Sequence, residues 1–196
     1  MEAMVSEALK RHQALGIRKI DHEIIRHPQH DPGCFSDSVS YLRGYQKRFL
    51  HAIVLLDCAF SGAPSGGRSE IESSMNNTFA LAEMSGWAYP IAIEPELENW
   101  VWVDSPHLNG AIGWDEDRLE SPRAWLEARG LWTSGSSKPS LPKEALEATC
   151  RECRIPFSAA IHKGVARKVS LQKCDDSAFL DLVSRLRSWF PKEENP

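Results

Sequence analysis

The stretch His51–Phe60, HAIVLLDCAF, decides the fold class. Ala52 to Leu56 are five apolar residues in a row, ending at Asp57 before the loop SGAPSGGR. A run without polar alternation reads as a strand covered on both faces, as in a parallel sheet. Downstream, Ser69 and Glu72 have the spacing of a capping box for a helix carrying Ile71, Met75, Phe79 and Ala82, with Gly86 as its stop. A further strand, WAYPIAIE, ends at Glu94 and leads into PELENWVWVD. Upstream, Ser36 is placed to cap a helix carrying Val39, Leu42, Tyr45 and Phe49. Before it, IRKIDHEIIRHP predicts a strand near residues 18 to 26, closed by Pro28 and the turn-rich HPQHDPGC. Strand, helix, strand, helix, strand is the alternation that makes right-handed crossovers and a parallel sheet.

The flanks read as helices. Met4, Val5, Ala8, Leu9 and Leu15 share roughly one face ahead of Gly16. SPRAWLEARG has a Ser121 cap, Pro122 in its first turn and Gly130 at its end, and TSGSSKPS is a connector. LPKEALEATCREC, AAIHKGVARKV and DDSAFLDLVSRLRSWF follow, the last capped by Asp175 or Asp176. The expectation is one α/β domain over residues 1–196, with a small, mainly parallel Rossmann-like sheet flanked by helices. Residues 1–104 bear the sheet and 105–196 are mostly helical. The chain opens in a helix where parallel α/β units usually open in a strand. Either the sheet lacks its leading strand or the chain starts later than its relatives do.

Composition removes several classes. With 196 residues, 42% hydrophobic and 26% charged, the chain can bury a real core and is neither disordered nor fibrous. No stretch approaches the roughly 20 apolar residues of a membrane helix, and MEAMVSEALKRH lacks the apolar centre of a signal peptide. A cytoplasmic protein is expected, without membrane partners. Five scattered cysteines disfavour a disulfide framework. Cys150 and Cys153 form a lone CxxC inside a helix, with no second pair to complete a zinc site, and read as ordinary helix residues. Charge is uneven: nine acidic residues against Arg118 and Arg123 from Glu94 to Glu127, then eleven basic against six acidic from Lys138 to Lys192. Such asymmetry marks either a nucleic-acid-facing surface or the solvated faces of helices.

In open α/β sheets, ligands bind beyond the carboxyl ends of the strands. Asp57 and Glu94 both stand there, with Glu96 and Glu98 just beyond. Carboxylates on adjacent strand ends suit Mg²⁺ or Mn²⁺, which take oxygen ligands and keep waters for a phosphate substrate. The alternative is that these acids cap helices or meet arginines such as Arg68. In the HPQHDPG loop, His27 and His30 are candidate acid or base groups, with Asp31 to orient them. SGAPSGG fails the phosphate-loop pattern. Trp100 and Trp102 alternate, so at least one is expected at the surface, although core packing accounts for most of the seven tryptophans.

An ordered set of features carries a resemblance: a strand ending in Asp57, a strand leading into PELENWVWVD, PKEAL, a polar stretch ending in VARKVSLQKC, and DSAFLDLVSRL. Together, over residues 50 to 190, they resemble bacterial Toprim-like proteins, of the topoisomerase–primase fold. The resemblance implies a compact Rossmann-like sheet and Mg²⁺-dependent cleavage or transfer at phosphodiesters, often beside an ATPase in defence or mobile-element operons. By position Asp57 looks like the family's strand-end aspartate and Glu98 like its later acidic residue. Ala59 stands where the second acid of an Asp-x-Asp pair belongs, and the glutamate after the first strand has no counterpart except Glu2.

Three functions follow as expectations. One is a metal-dependent nuclease or phosphotransferase using Asp57, Glu94, Glu96 and Glu98 for Mg²⁺ or Mn²⁺, aided by His27, His30 and Asp31, with Lys163, Arg167, Lys168 and Lys173 holding nucleic acid. Another is a non-catalytic interaction subunit of a multi-protein bacterial system on the same fold, with an ATPase as a candidate partner. The third is a small-molecule hydrolase using the His-Asp loop. A missing leading strand leaves a sheet edge that pairing with another chain, such as a second copy in a homodimer, would cover.

Overall fold

A computed structural model of the chain describes residues 1–105, 107–115, 117 and 120–192. The protein is α/β, with a two-stranded parallel sheet flanked by helices and a helical C-terminal half. In chain order the elements are α1 (Glu2–Lys10), α2 (His12–Leu15), α3 (His30–Leu42), β1 (Ala52–Asp57), α4 (Gly67–Leu81), β2 (Ala88–Ile93), α5 (Leu108–Ala111), α6 (Pro122–Glu127), α7 (Pro142–Glu152), α8 (Ala159–Lys168) and α9 (Ser177–Trp189). The chain forms two compact units, one of Ile25–Glu96 and one of Met1–Ile24 with Leu97–Pro196.

In the unit Ile25–Glu96, β1 and β2 pair in parallel from Ala52 opposite Ala88 to Asp57 opposite Ile93. Val54, Leu56, Ala88 and Ala92 pack on Ile71, Met75, Phe79 and Met84. Cys34, Phe35, Val39 and Leu42 of α3 close over the same cluster. Alternation along a strand explains the grouping, because residues two apart share a face. The expected burial of β1 on both faces is corrected: Val54 and Leu56 are buried, whereas Ile53 and Leu55 stay half-buried.

The two outer edges of this sheet differ. The ladder turns the N–H groups of Ala52 and Cys58 toward β2, where they reach Trp87 O and Ile93 O at 2.8 Å each. The alternating pattern therefore turns Ile53, Leu55 and Asp57 outward on β1, and Ala88, Pro90 and Ala92 outward on β2. On β2 every outward N–H is taken or absent. Ala88 N–H donates to Met84 O (2.9 Å), Pro90 has no N–H, and Ala92 N–H donates to Glu72 Oε1 (2.9 Å). On β1 only Asp57 is engaged, donating its N–H to Asp31 Oδ1 at 3.3 Å. Among the described residues, no hydrogen bond uses the outward N–H or C=O of Ile53 or Leu55.

Several local expectations are corrected. Residues 18 to 26 form no strand; Ile17 makes only an isolated antiparallel bridge to Pro191. Arg18, Lys19, Asp21, His22 and Glu23 are exposed, so the segment has no continuous apolar face to reward pairing. Helix α3 begins at His30, not after Ser36, since Pro32 is tolerated in a first turn. Ser36 instead donates its hydroxyl to Pro32 O at 2.8 Å. That helix ends at Leu42, so Tyr45 lies in a following 3₁₀ turn and Phe49 beyond it. The Ser69–Glu72 capping box is absent: α4 starts at Gly67, and Gly66 N–H donates to Glu70 Oε2 at 2.7 Å.

The unit of Met1–Ile24 with Leu97–Pro196 is helical, with α1 packed on α8. Gly16 closes the first helices at φ 74°, as its place in the sequence predicts. Ser121 caps α6 by accepting from Ala124 N–H at 3.2 Å. Asp176 is the cap of α9, accepting from Ala178 and Phe179 N–H at 3.0 Å each. Both Trp100 (3% exposed) and Trp102 (2%) are buried, which corrects the expectation that one stands at the surface. Their indole N–H groups donate to Asp176 Oδ1 (2.8 Å) and Pro142 O (3.0 Å), so each polar tip is satisfied inside. Glu116 and Arg118 of the unevenly charged stretch lie outside the described residues. Among the described residues, no helix is long and apolar enough to cross a membrane.

Candidate functional site at the carboxyl end of the sheet

Asp57 is the last residue of β1, and Glu94 follows the last residue of β2. Asp31, in the first turn of α3, reaches the same end through its bond to the Asp57 N–H. Two predicted site residues, 26 positions apart, are thus brought together. Glu94 is exposed, with Oε1 beside the start of α4; a Cβ on Gly67 would lie 2.8 Å from it. Gly67 also sits at φ +61°, so both conformation and space require glycine there. A carboxylate at that spot is favoured by the partial positive charge of a helix N-terminus.

The field at this strand end is negative. Burial, then Glu94 and Glu72, push the Cys58 thiol up to about 12. Burial and Asp31 push Cys34 up to about 11. Both thiols are therefore protonated at neutral pH and make poor nucleophiles. Glu72 is tied down by Arg68 (2.7 Å) as well as by the Ala92 N–H.

The other expected members of the site are placed differently. Glu98 belongs to the unit containing Leu97–Pro196, where it is 8% exposed and its Oε1 lies 2.9 Å from His162 Nε2. His162 Nδ1 lies 3.2 Å from Ser158 O, so the ring is held at both nitrogens. Burial pushes the Glu98 carboxyl up, but hydrogen bonds from His162 and its own backbone outweigh this and hold it below the ordinary range. Glu96 is half-buried beyond β2. Among the described residues, no three His, Cys, Asp or Glu side chains are grouped so as to hold a metal ion. Asp57, Glu94 and Glu96 belong to the unit Ile25–Glu96, and Glu98 to the other.

His27 is buried against Tyr41. It is 6% exposed, its Nδ1 accepts from Gln29 N–H at 3.2 Å, and its ring lies 4.6 Å from that of Tyr41. His30 is exposed at φ 54°. Asp31 orients neither imidazole by a hydrogen bond; its carboxylate holds the strand end. Cys150 is buried and pushed up to about 11, consistent with an ordinary helix thiol.

Three of the four basic residues assigned to nucleic acid, Lys163, Arg167 and Lys173, face acids of their own. Arg167 Nε bonds Glu7 Oε2 at 2.7 Å and Lys163 Nζ is 3.8 Å from Glu7 Oε1. Lys173 Nζ is 3.8 Å from Asp104 Oδ2, and Lys168 donates to Gly110 O at 3.4 Å. Hydrogen bonds from Arg167 and Lys10 hold the Glu7 carboxyl down to about 2. Sequence reasoning passed over Glu7, although its place on the Met4–Ala8 stripe was the available signal. It also passed over Glu72 as the closure of β2, for which no local signal exists.

Compared with protein-family models, curated proteins and solved structures, the chain matches none of them.

Proposed function

We propose that this chain works as a non-catalytic interaction subunit on a Toprim-like α/β unit, within a multi-protein bacterial system. The observation that carries the reading is the asymmetry of the sheet: β2 offers no unused outward N–H, while β1 keeps the N–H and C=O of Ile53 and Leu55 available to another chain. Natural sheets block edges that are not for pairing, and extended segments commonly dock by adding a strand to an open edge. The placement of one expected metal ligand supports it: the Glu98 carboxylate bonds His162.

A second reading, the Mg²⁺-dependent nuclease or phosphotransferase, is favoured by the meeting of Asp31 and Asp57 beside Glu94. Mg²⁺ held by one or two carboxylates plus substrate phosphates needs no larger protein set. One assay separates the two: cleavage of single- and double-stranded DNA and RNA in millimolar Mg²⁺ or Mn²⁺, with Asp57→Ala as control. The interaction subunit gives no metal-dependent product. Cleavage that appears with metal and is lost in Asp57→Ala would replace it with the nuclease.

A further inference from the structure

We infer that the occupant of the open β1 edge is a second copy of the same strand, paired antiparallel about a two-fold axis at Val54. This rests on the interaction reading above and names its partner. The unused backbone groups are those of Ile53 and Leu55, which flank Val54 symmetrically. Asp31 already takes the Asp57 N–H, so the ladder stops at that end. A two-fold at Val54 sets Ile53 opposite Leu55 of the second copy, and each such pair exchanges both its N–H and its C=O. Neither Ile53 nor Leu55 has to release a donor or acceptor already in use.

The flanking side chains are self-complementary in the same register. Ala52 falls opposite Leu56, and His51 opposite Asp57, so each end sets a histidine position across from an aspartate position. Unlike pairs directly across an antiparallel ladder attract, and like charges there repel. Ile53 and Leu55 are half-buried within the chain, so their aliphatic surface is in part available for a partner to cover. A closed isologous pairing of this kind joins two β1–β2 pairs into one sheet with a β2 at each rim. Both rims then lack an unused outward N–H, since those of Ala88 and Ala92 go to Met84 and Glu72 and Pro90 has none, which disfavours growth past the dimer.

The test is the mass of the full chain in solution by sedimentation equilibrium over a wide concentration range. The wild type is expected to form a concentration-dependent dimer and no larger species. His51→Asp sets two aspartates against each other and is expected to weaken it about tenfold. The double variant His51→Asp/Asp57→His restores the opposite pairing and is expected to recover most of the loss. Circular dichroism confirms that each variant is folded. For a variant that is not, the amide exchange of Ile53 and Leu55 in the wild type, followed by NMR as dimer forms, replaces it. A wild type that stays monomeric overturns the inference. So does a dimer indifferent to His51→Asp, or one in which the Ile53 and Leu55 amides exchange as fast as in monomer. None of these touches the metal-dependent cleavage assay, which alone decides between the subunit and the nuclease.

Discussion

Gly33 shows how tightly one residue fixes the loop before α3, since a Cβ there would lie 2.1 Å from His27 Nδ1. Gly33→Ala is expected to cost roughly 1–3 kcal/mol, as overpacked sites do, read as a lower midpoint in urea. Asp176 carries more. It caps α9 and accepts from the indole of Trp100 and the amide of Asn99 while 6% exposed. Asp176→Ala removes the cap and strands a buried indole donor, a combined loss of about 2–4 kcal/mol, with Asp176→Asn milder in the same measurement. Glu7 makes the acid limb of stability testable. Its carboxyl falls from an ordinary 4.5 to about 2 in the folded chain, so its contribution is complete above 4.5 and lost as pH falls toward 2. Glu7→Gln should flatten the stability profile across that window and leave its shape near neutrality unchanged; an identical acid limb would remove Glu7 from the account. These residues were legible in different degrees. The Asp176 cap follows from the residues around it, but the pairing of Glu98 with His162 does not, because His162 lies 64 positions away. Only the folded chain brings that pair together.

At the level of elements, β1 was legible because five apolar residues in a row demand burial, and α4 because Ile71, Met75 and Phe79 recur at helical spacing. Leu56, fully buried in β1, tests that core: Leu56→Ala is expected to cost about 2–5 kcal/mol in denaturant unfolding. The segment before α3 was not legible, since its apolar positions and the Pro28 stop read as a strand, yet no neighbouring strand takes it up. Nor was the closure of β2 legible, because it joins the side chain of Glu72 to a backbone group 20 residues on. Glu72→Ala strands the N–H of the fully buried Ala92 and should lower stability by roughly 1–3 kcal/mol. It should also speed Ala92 amide exchange ahead of its ladder neighbours. An Ala92 amide as slow as before would show that Glu72 does not close the edge.

For the whole molecule, the α/β class and the helical second half follow from the alternation and caps in the sequence, while the division into two units does not. One unit joins the first 24 residues to residues 97–196, and contacts that far apart leave no local pattern. The uneven charge was legible as composition but not as a surface, because Glu7 takes Arg167, Lys163 and Lys10 together. What ties the levels into one function is the contrast between the two edges of the sheet. Amide exchange by NMR across a dilution series measures that contrast directly. At the lowest concentrations Ile53 and Leu55 should exchange rapidly while Val54, Leu56 and Ala92 stay protected, with Ile53 and Leu55 slowing as concentration rises. If Ile53 and Leu55 are as protected as Ala92 in chains that sediment as monomers, the β1 edge is not open and the account fails.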